Sequence, residues 1–385
     1  MTKLAEGLAQ YFDVNVLCGY PTVTARGKAV PKKEIHNGVQ VERCRGTTFN
    51  KDFFVLRLVN LFTNGFSVFF KALLKIKNRD IVLVVTGPHI LHFLGKLACY
   101  IRSAKCILRV DDVYPEALIA TGVLNEKSLV ARILFYMNQV LYRSMNQIVV
   151  LGRDMKQLAI NKLNSSKVDV TIIPNWADID QVYPQSKKNN LLLKELGLIE
   201  KFVVQCAGNM GRAQGIENMF DAIELLRNEK NIHFLFIGGG IKRDWMQNEV
   251  KRKGLTNVTI LDQRSRSDQR NFLNACDIAM ASLLPRMTGA GVPSRMYNVM
   301  AAGKPIIAVA GSDSELPMVV KEEQVGWIVP PDEPDKLVQA IHEALSSPAR
   351  LLKMGERARL VVEKKYCPYK VINEYRNVIN TLNKI

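Results

Sequence analysis

Short runs rich in Val, Ile and Leu recur along this chain, separated by longer amphipathic stretches, and that alternation limits the fold more than any other feature. Residues 81–86 (IVLVVT), 105–110 (KCILRV), 147–151 (QIVVL) and 170–174 (VTIIP) read as strands. A second series follows at 202–207, 233–237, 258–261, 277–281 and 305–310. A strand that is apolar on both faces needs cover on both faces, which means a parallel sheet flanked by crossover helices. Two such series predict an α/β chain of two doubly wound, Rossmann-like domains. The 385 residues suit two cores better than one. The break falls near Ile173-Pro174-Asn175-Trp176, where patterned strands give way to a polar stretch at 185–190. The division expected is therefore 1–175, 176–365, and a last helix over 366–385 returning to the first domain. Ligands in such sheets bind beyond the carboxyl ends of strands, so the default site is the cleft between the domains.

The start is unusual. Residues 2–11 read as a helix already under way and 13–17 as a strand, so the strand and glycine turn that normally open a doubly wound domain are expected to be missing. Residues 53–76 are very apolar, but the uncharged part, 58–70, is shorter than the roughly 20 residues a span requires. Two readings stand: a domain helix with its apolar face in the core, or an interfacial helix with Lys71, Lys75 and Lys77 on phosphate headgroups.

Charge is uneven. The chain carries +17, of which +12 lies in residues 1–175. That asymmetry suits an anionic surface, a leaflet or a nucleic acid, on the first domain. The basic residues are not interleaved with aromatics on a platform, which disfavours nucleic acid. Seven cysteines scattered without a C-x-x-C pair exclude a zinc ribbon and indicate a reducing compartment. No secretory leader pattern opens the sequence.

Three segments carry chemistry. Between the strand at 202–207 and a helix from about 216 lies Gly208-Asn209-Met210-Gly211-Arg212-Ala213-Gln214-Gly215. Glycines there let backbone approach a ligand, helix amides favour an anion, and Arg212 adds a fork of donors for a diphosphate. The spacing is neither a P-loop nor a dinucleotide fingerprint. The second segment, 288–305 (TGAGVPSRMYNVMAAGKP), enters a helix through Pro293 and Ser294 with Arg295 beside them, and ends it on Ala301, Ala302 and Gly303. The third is Asp111-Asp112 at the end of a first-domain strand, facing the glycine loops as hydrogen-bond acceptors or a base, or else capping the next helix.

Other motifs read as structure. Asp178-Ile179-Asp180 is expected to be a solvated turn rather than a metal motif. Gly238-Gly239-Gly240 lacks the acidic strand end of a dinucleotide site. The five histidines show no ligand spacing, and only His89 is placed to face the cleft.

At 109–116 (RVDDVYPE), 173–178 (IPNWAD), 208–215 (GNMGRAQG), 238–242 (GGGIK) and 292–305 (VPSRMYNVMAAGKP) the chain resembles family 4 retaining glycosyltransferases of GT-B fold, in the colanic-acid, capsule and O-antigen branch. The resemblance covers nearly the whole chain. It implies a nucleotide-sugar site, UDP-linked, over Gly208, Asn209, Gly211, Arg212, Gln214, Gly239, Lys242, Arg264, Pro293, Ser294, Arg295 and Asn298. Asp111, Asp112 and Arg212 are the implied catalytic residues. The family's E-x7-E positions fall on Ala290 and Asn298, so an amide stands where a glutamate normally holds the ribose, and the sugar-side carboxylate has no counterpart.

The implied reaction is front-face transfer without a metal or other cofactor. The expected partners are a nucleotide sugar, a polyprenyl-diphosphate-linked or oligosaccharide acceptor and an anionic membrane surface, with no nucleic acid. The expected location is cytoplasmic, peripheral on the inner face of the plasma membrane. The missing first strand and missing carboxylates leave a catalytically impaired relative or partner subunit as the alternative, and a nucleic-acid-binding protein or a nicotinamide dehydrogenase as remote ones.

Overall fold

The computed structural model describes residues 1–21, 30–49, 53–164 and 166–384. The first half runs α1 (Thr2–Leu8), β1 (Asn15–Gly19), β2 (Lys33–His36), β3 (Val39–Cys44), α2 (Phe54–Lys75), β4 (Ile81–Val85), α3 (Leu91–Ile101) and β5 (Lys105–Val110). It continues through α4 (Glu116–Ala120), α5 (Leu129–Ser144), β6 (Gln147–Val150), α6 (Arg153–Leu163) and β7 (Asp169–Ile172). Strands β5 and β6 are the apolar runs read from the sequence and are almost wholly buried. Helix α5 starts where Ser128 Oγ accepts the Ala131 N–H at 3.1 Å, an ordinary N-cap.

The strands β4-β5-β6-β7 form one parallel sheet in sequence order. A separate three-stranded sheet has the order β1-β3-β2, with β1 parallel and β2 antiparallel to β3. Among the described residues no ladder joins β1 to β4, so the first domain carries two sheets. Helix α2 nonetheless bridges them: its Phe69 and Ala72, with Ile76 just beyond its end, pack with Leu17 of β1 and Val82 of β4. On that layer α2 lies against α3, inserting Gly65 beside Ile90 and Leu94.

The second half contains α7 (Leu191–Glu195), β8 (Phe202–Ala207), α8 (Ile216–Leu225), β9 (Ile232–Ile237), α9 (Arg243–Lys253), β10 (Val258–Leu261), α10 (Gln269–Leu273) and β11 (Ile278–Ser282). Then come α11 (Arg295–Ala301), β12 (Ile306–Val309), α12 (Glu315–Glu323), β13 (Gly326–Val329), α13 (Pro334–Leu345), α14 (Pro348–Lys365) and α15 (Pro368–Lys384). One six-stranded parallel sheet, β10-β9-β8-β11-β12-β13, spans this half. The strand order reverses between β8 and β11. Loops leaving those two strands therefore flank the switch point, where open α/β sheets bind ligands.

Helix α15 does not stay with that sheet. Val371, Tyr375 and Leu382 pack with Leu4 and Leu8 of α1, Ile107 of β5 and Val149 of β6. The buried Arg109 fixes it there, donating to the Tyr375 hydroxyl at 2.9 Å and to Asn175 Oδ1 at 2.6 Å.

Residues 53–76 form a domain helix with its apolar face in the core, the first of the two readings. The other face exposes Phe62, Phe66, Phe70 and Leu74, four residues apart along one stripe. The lysines assigned to headgroups are partly redirected. Lys71 pairs with the buried Glu42 at 2.6 Å and Lys75 reaches the same carboxylate at 3.7 Å, because an unpaired carboxylate there would be costly.

Candidate active site

The glycine loop after β8 is held by the glycine turn after β9. The Gly208 N–H donates to the Ile237 carbonyl at 2.8 Å and the Met210 N–H to the Gly239 carbonyl at 2.7 Å. A side chain at Gly238, whose φ is +152°, would put a Cβ 1.9 Å from the Gly208 carbonyl oxygen. The triple glycine is thus a packing device that lets two loops touch. Gln214 shapes the loop from its other end, accepting the Gly211 N–H on Oε1 at 2.9 Å. That bond uses the Gly211 amide and the Gln214 carbonyl oxygen internally, so neither group is free for a ligand in this arrangement.

Arg295 meets this loop from across the switch point. Its guanidinium lies over Gly208, where an added Cβ would be 3.2 Å from Cζ, and Nη2 donates to the Asn209 carbonyl at 2.9 Å. Nη1 contacts Cys206 Sγ at 3.6 Å. Pro293 and Ser294 lead into α11, but Ser294 is exposed and its side chain makes no capping bond. The helix ends at Ala301, with Gly303 at φ +65° turning the chain. Asn298 is half-buried on α11.

Arg212 lines a cavity of about 370 Å³ between the domains, with Gly215, Lys242 and Glu217 on one side and Ala120 to Gly122 on the other. Among the described residues Arg212 has no carboxylate partner. Lys242 differs: its ammonium is paired with Glu217 and lies 5.5 Å from the Trp245 ring centre. Arg264 is held by Asp268 at 3.2 Å, in the segment that follows β10.

Opposite, Asp111 and Asp112 follow β5. Both backbone amides donate to Thr86 Oγ1, at 3.1 and 3.3 Å. Neither carboxylate caps α4, whose N-cap is Pro115 without a side-chain bond. Asp111 is paired with Arg109 at 2.9 Å. Asp112 reaches the second domain: it bridges Gly291, and the Val113 N–H donates to the Ala290 carbonyl at 2.8 Å. Burial, followed by the Asp111 charge, raises the Asp112 carboxyl above its ordinary value. His89 stands edge-on to Tyr114, with ring centres 4.1 Å apart, and burial lowers its pKa.

Asp178 of the D-x-D pairs with Lys3 at 2.6 Å, and Asp180 is exposed. Among the described residues no group of three His, Cys, Asp or Glu side chains could hold a metal.

Three residues that sequence reading passed over join the domains: Arg153, Asp154 and Glu315. The only sequence signal was an acidic residue in the first turn of each of two helices, a pattern common to most helices.

Two facing α/β domains, each built on a parallel sheet, with an interlocked glycine loop at the switch point of the second, form the architecture of GT-B glycosyltransferases. The family model "Glycosyl transferases group 1" matches residues 192–361. The chain is 33% identical over 329 residues to the probable glycosyltransferase WbjE of Pseudomonas aeruginosa, covering 84% of this chain and 81% of that one. It is 23% identical to the putative colanic acid biosynthesis glycosyl transferase WcaI of Escherichia coli K12, covering 83% and 80%. It is 22% identical to an Escherichia coli UDP-Gal:alpha-D-GlcNAc-diphosphoundecaprenol alpha-1,3-galactosyltransferase, covering 98% and 88%. Among solved structures, sucrose-phosphate synthase of Thermosynechococcus elongatus superposes with a TM-score of 0.79 at 16% identity, covering 99% of this chain and 92% of that one. Anabaena HepE in complex with UDP-glucose gives 0.75 at 14% identity, covering 99% and 95%. The chain belongs to the group 1 glycosyltransferases.

Proposed function

We propose that this protein transfers a sugar, with retention of configuration, from a UDP-sugar to a polyprenyl-diphosphate-linked acceptor in the assembly of a bacterial surface polysaccharide. The observation that carries the reading is that the glycine loop with Arg212, and the segment that enters α11 with Arg295, leave the two strands flanking the switch point, with the Arg295 guanidinium lying on the loop. Guanidinium groups beside a glycine-rich loop suit a diphosphate leaving group. The relatives support the class: one is a putative colanic acid biosynthesis glycosyl transferase, and another is a UDP-Gal:alpha-D-GlcNAc-diphosphoundecaprenol alpha-1,3-galactosyltransferase.

In the proposed step the bond from the anomeric carbon to the diphosphate oxygen breaks and the acceptor oxygen attacks from the same face. The acceptor proton passes to the departing phosphate oxygen. Arg212 and Arg295 stabilise the charge that develops there, which is the largest contribution a protein makes to such chemistry. Before the step, Asp112 accepts a hydrogen bond from the acceptor hydroxyl and so draws the acceptor into the cleft; the proton then turns to the phosphate oxygen as the bond to the diphosphate breaks. No metal or other cofactor enters the step.

An anionic membrane surface on the first domain suits a lipid-linked acceptor. The exposed Phe62, Phe66 and Phe70 stripe of α2 supports that reading, as do Tyr100 and Ile101 of α3 and Tyr136 of α5. Among the described residues no helix is long and apolar enough to cross a membrane. The reading is tested by incubating the protein with UDP-hexoses and a synthetic polyprenyl-diphosphate-linked sugar, and determining the product's anomeric configuration by NMR. An α-linked product from an α-linked donor is expected. An inverted product refutes retention, and failure to bind UDP by calorimetry refutes the donor.

A further inference from the structure

The domain contact on the side of α6 has an unusual construction. Helix α6 opens the last crossover of the first domain, and helix α12 follows β12 in the second. Neither is capped by its own N-cap side chain: Gly152 has none, and Ser314 turns its hydroxyl to the Gly311 carbonyl at 2.8 Å. Each is capped by the other domain instead. Glu315 Oε2 accepts the Arg153 backbone N–H at 2.7 Å and its Nε–H at 3.0 Å. Asp154 Oδ2 accepts the Glu315 backbone N–H at 3.2 Å.

The same Asp154 oxygen also accepts the Gly289 N–H at 3.0 Å, while Oδ1 accepts the Met155 N–H at 2.7 Å. Gly289 sits in the loop that enters α11 through Pro293, Ser294 and Arg295. Both carboxylates are buried, Asp154 at 8% and Glu315 at 7% exposure. Small residues make the approach possible. A Cβ at Gly152 would lie 2.8 Å from the Glu315 side chain, and one at Gly289 would lie 3.1 Å from the Asp154 carbonyl oxygen.

We propose that Asp154 and Glu315 are a pair of positioning residues that exchange helix caps across the cleft, fixing the closed domain spacing and holding the loop that aims Arg295. The inference rests on the glycosyltransferase reading for its effect on rate, but the clasp itself is independent of it. A carboxylate–amide clasp suits closure because its attraction is largely offset by desolvation of the charges. When the domains part, water replaces the lost partners, so the closed state can be left and re-entered in each cycle. Asp154 touches no substrate. Its influence passes through the Gly289 amide to α11, and a displacement of about 1 Å there is enough to slow transfer about a hundredfold.

The test compares the full-length protein with Asp154→Ala, Asp154→Asn, Glu315→Ala and Glu315→Gln. It reads amide hydrogen exchange over 152–156, 286–292 and 313–317, UDP affinity by calorimetry, and kcat. Asp154→Ala is expected to speed exchange at Gly289 and Glu315 and to lower kcat at least about tenfold, with the UDP dissociation constant changed less than about threefold. Glu315→Gln, which keeps an acceptor, is expected to retain most of the rate that Glu315→Ala loses. Unchanged exchange at Gly289 and Glu315, or a loss of UDP affinity as large as the loss of rate, overturns the proposal. Should Asp154→Ala not fold, Asp154→Asn carries the same exchange measurement, since it keeps shape and loses charge. If the unaltered protein binds no UDP, the functional reading falls while the exchange data still decide the clasp.

Discussion

The two halves solve the same architectural problem in opposite ways. The second half has one continuous six-stranded sheet, two large cores on its faces, and site loops pinned to each other by backbone bonds. The first half has two shorter sheets bridged by α2, smaller cores, and helices whose outward faces are strongly apolar. Pinned loops suit a small, constant, doubly charged group whose binding gains from preorganisation. Exposed aromatic helix faces suit a large, soft partner that needs area rather than exact geometry. On the proposed function, the difference separates recognition of a charged donor group from contact with the acceptor's surroundings, and substitutions should separate them.

The largest effect is expected on the pinned side. Arg295→Ala removes a guanidinium from the glycine loop and should lower kcat/KM by about 10²- to 10³-fold, as loss of one preorganised donor does. Steady-state kinetics read this, and vesicle binding should not change. A variant with wild-type kcat/KM would remove Arg295 from the donor site. Next is the soft side: Phe66→Ser with Phe70→Ser should weaken partition onto anionic vesicles about thirtyfold, from the apolar area no longer buried. UDP affinity should stay as it was. Co-sedimentation that does not respond would assign the stripe to another partner.

The smallest effect concerns stability. Buried His92, with Nδ1 unpaired, has its pKa lowered by burial to about 4 from 6.5. The unfolded chain binds the proton more tightly, so stability is full above about pH 6.5 and is lost as pH falls toward 4. His92→Leu should remove about 1–2 kcal/mol of that acid sensitivity from the first domain. Chemical denaturation at pH 7 and pH 5 measures it. Equal pH dependence with and without the substitution would show that His92 does not titrate this way.

Much of the fold was legible because burial on both faces leaves a mark in one strand at a time. Residues 105–110, 202–207 and 258–261 are β5, β8 and β10 to the residue, and the other apolar runs lie within one or two positions of their strands. Strands β2 and β3 were not legible, since KEIH and VQVERC alternate polar and apolar residues as half-exposed strands do. In the site, local signals pointed to the glycine loop and to α11. They could not show that Arg295 would lie on Gly208, that Gln214 would be spent on Gly211, or that Arg264 would be tied to Asp268.

The sequence by itself determined the class of layers and the places of most strands, because periodicity and glycine placement act over a few residues. Only the tertiary structure decided which charges remain available. Lys242 and Lys71 are matched by carboxylates while Arg212 is left facing the cleft, and Asp154 and Glu315 find each other 161 positions apart. Electrostatic partnership depends on distance in space, and distance in space between remote segments is a property of the packed domains alone.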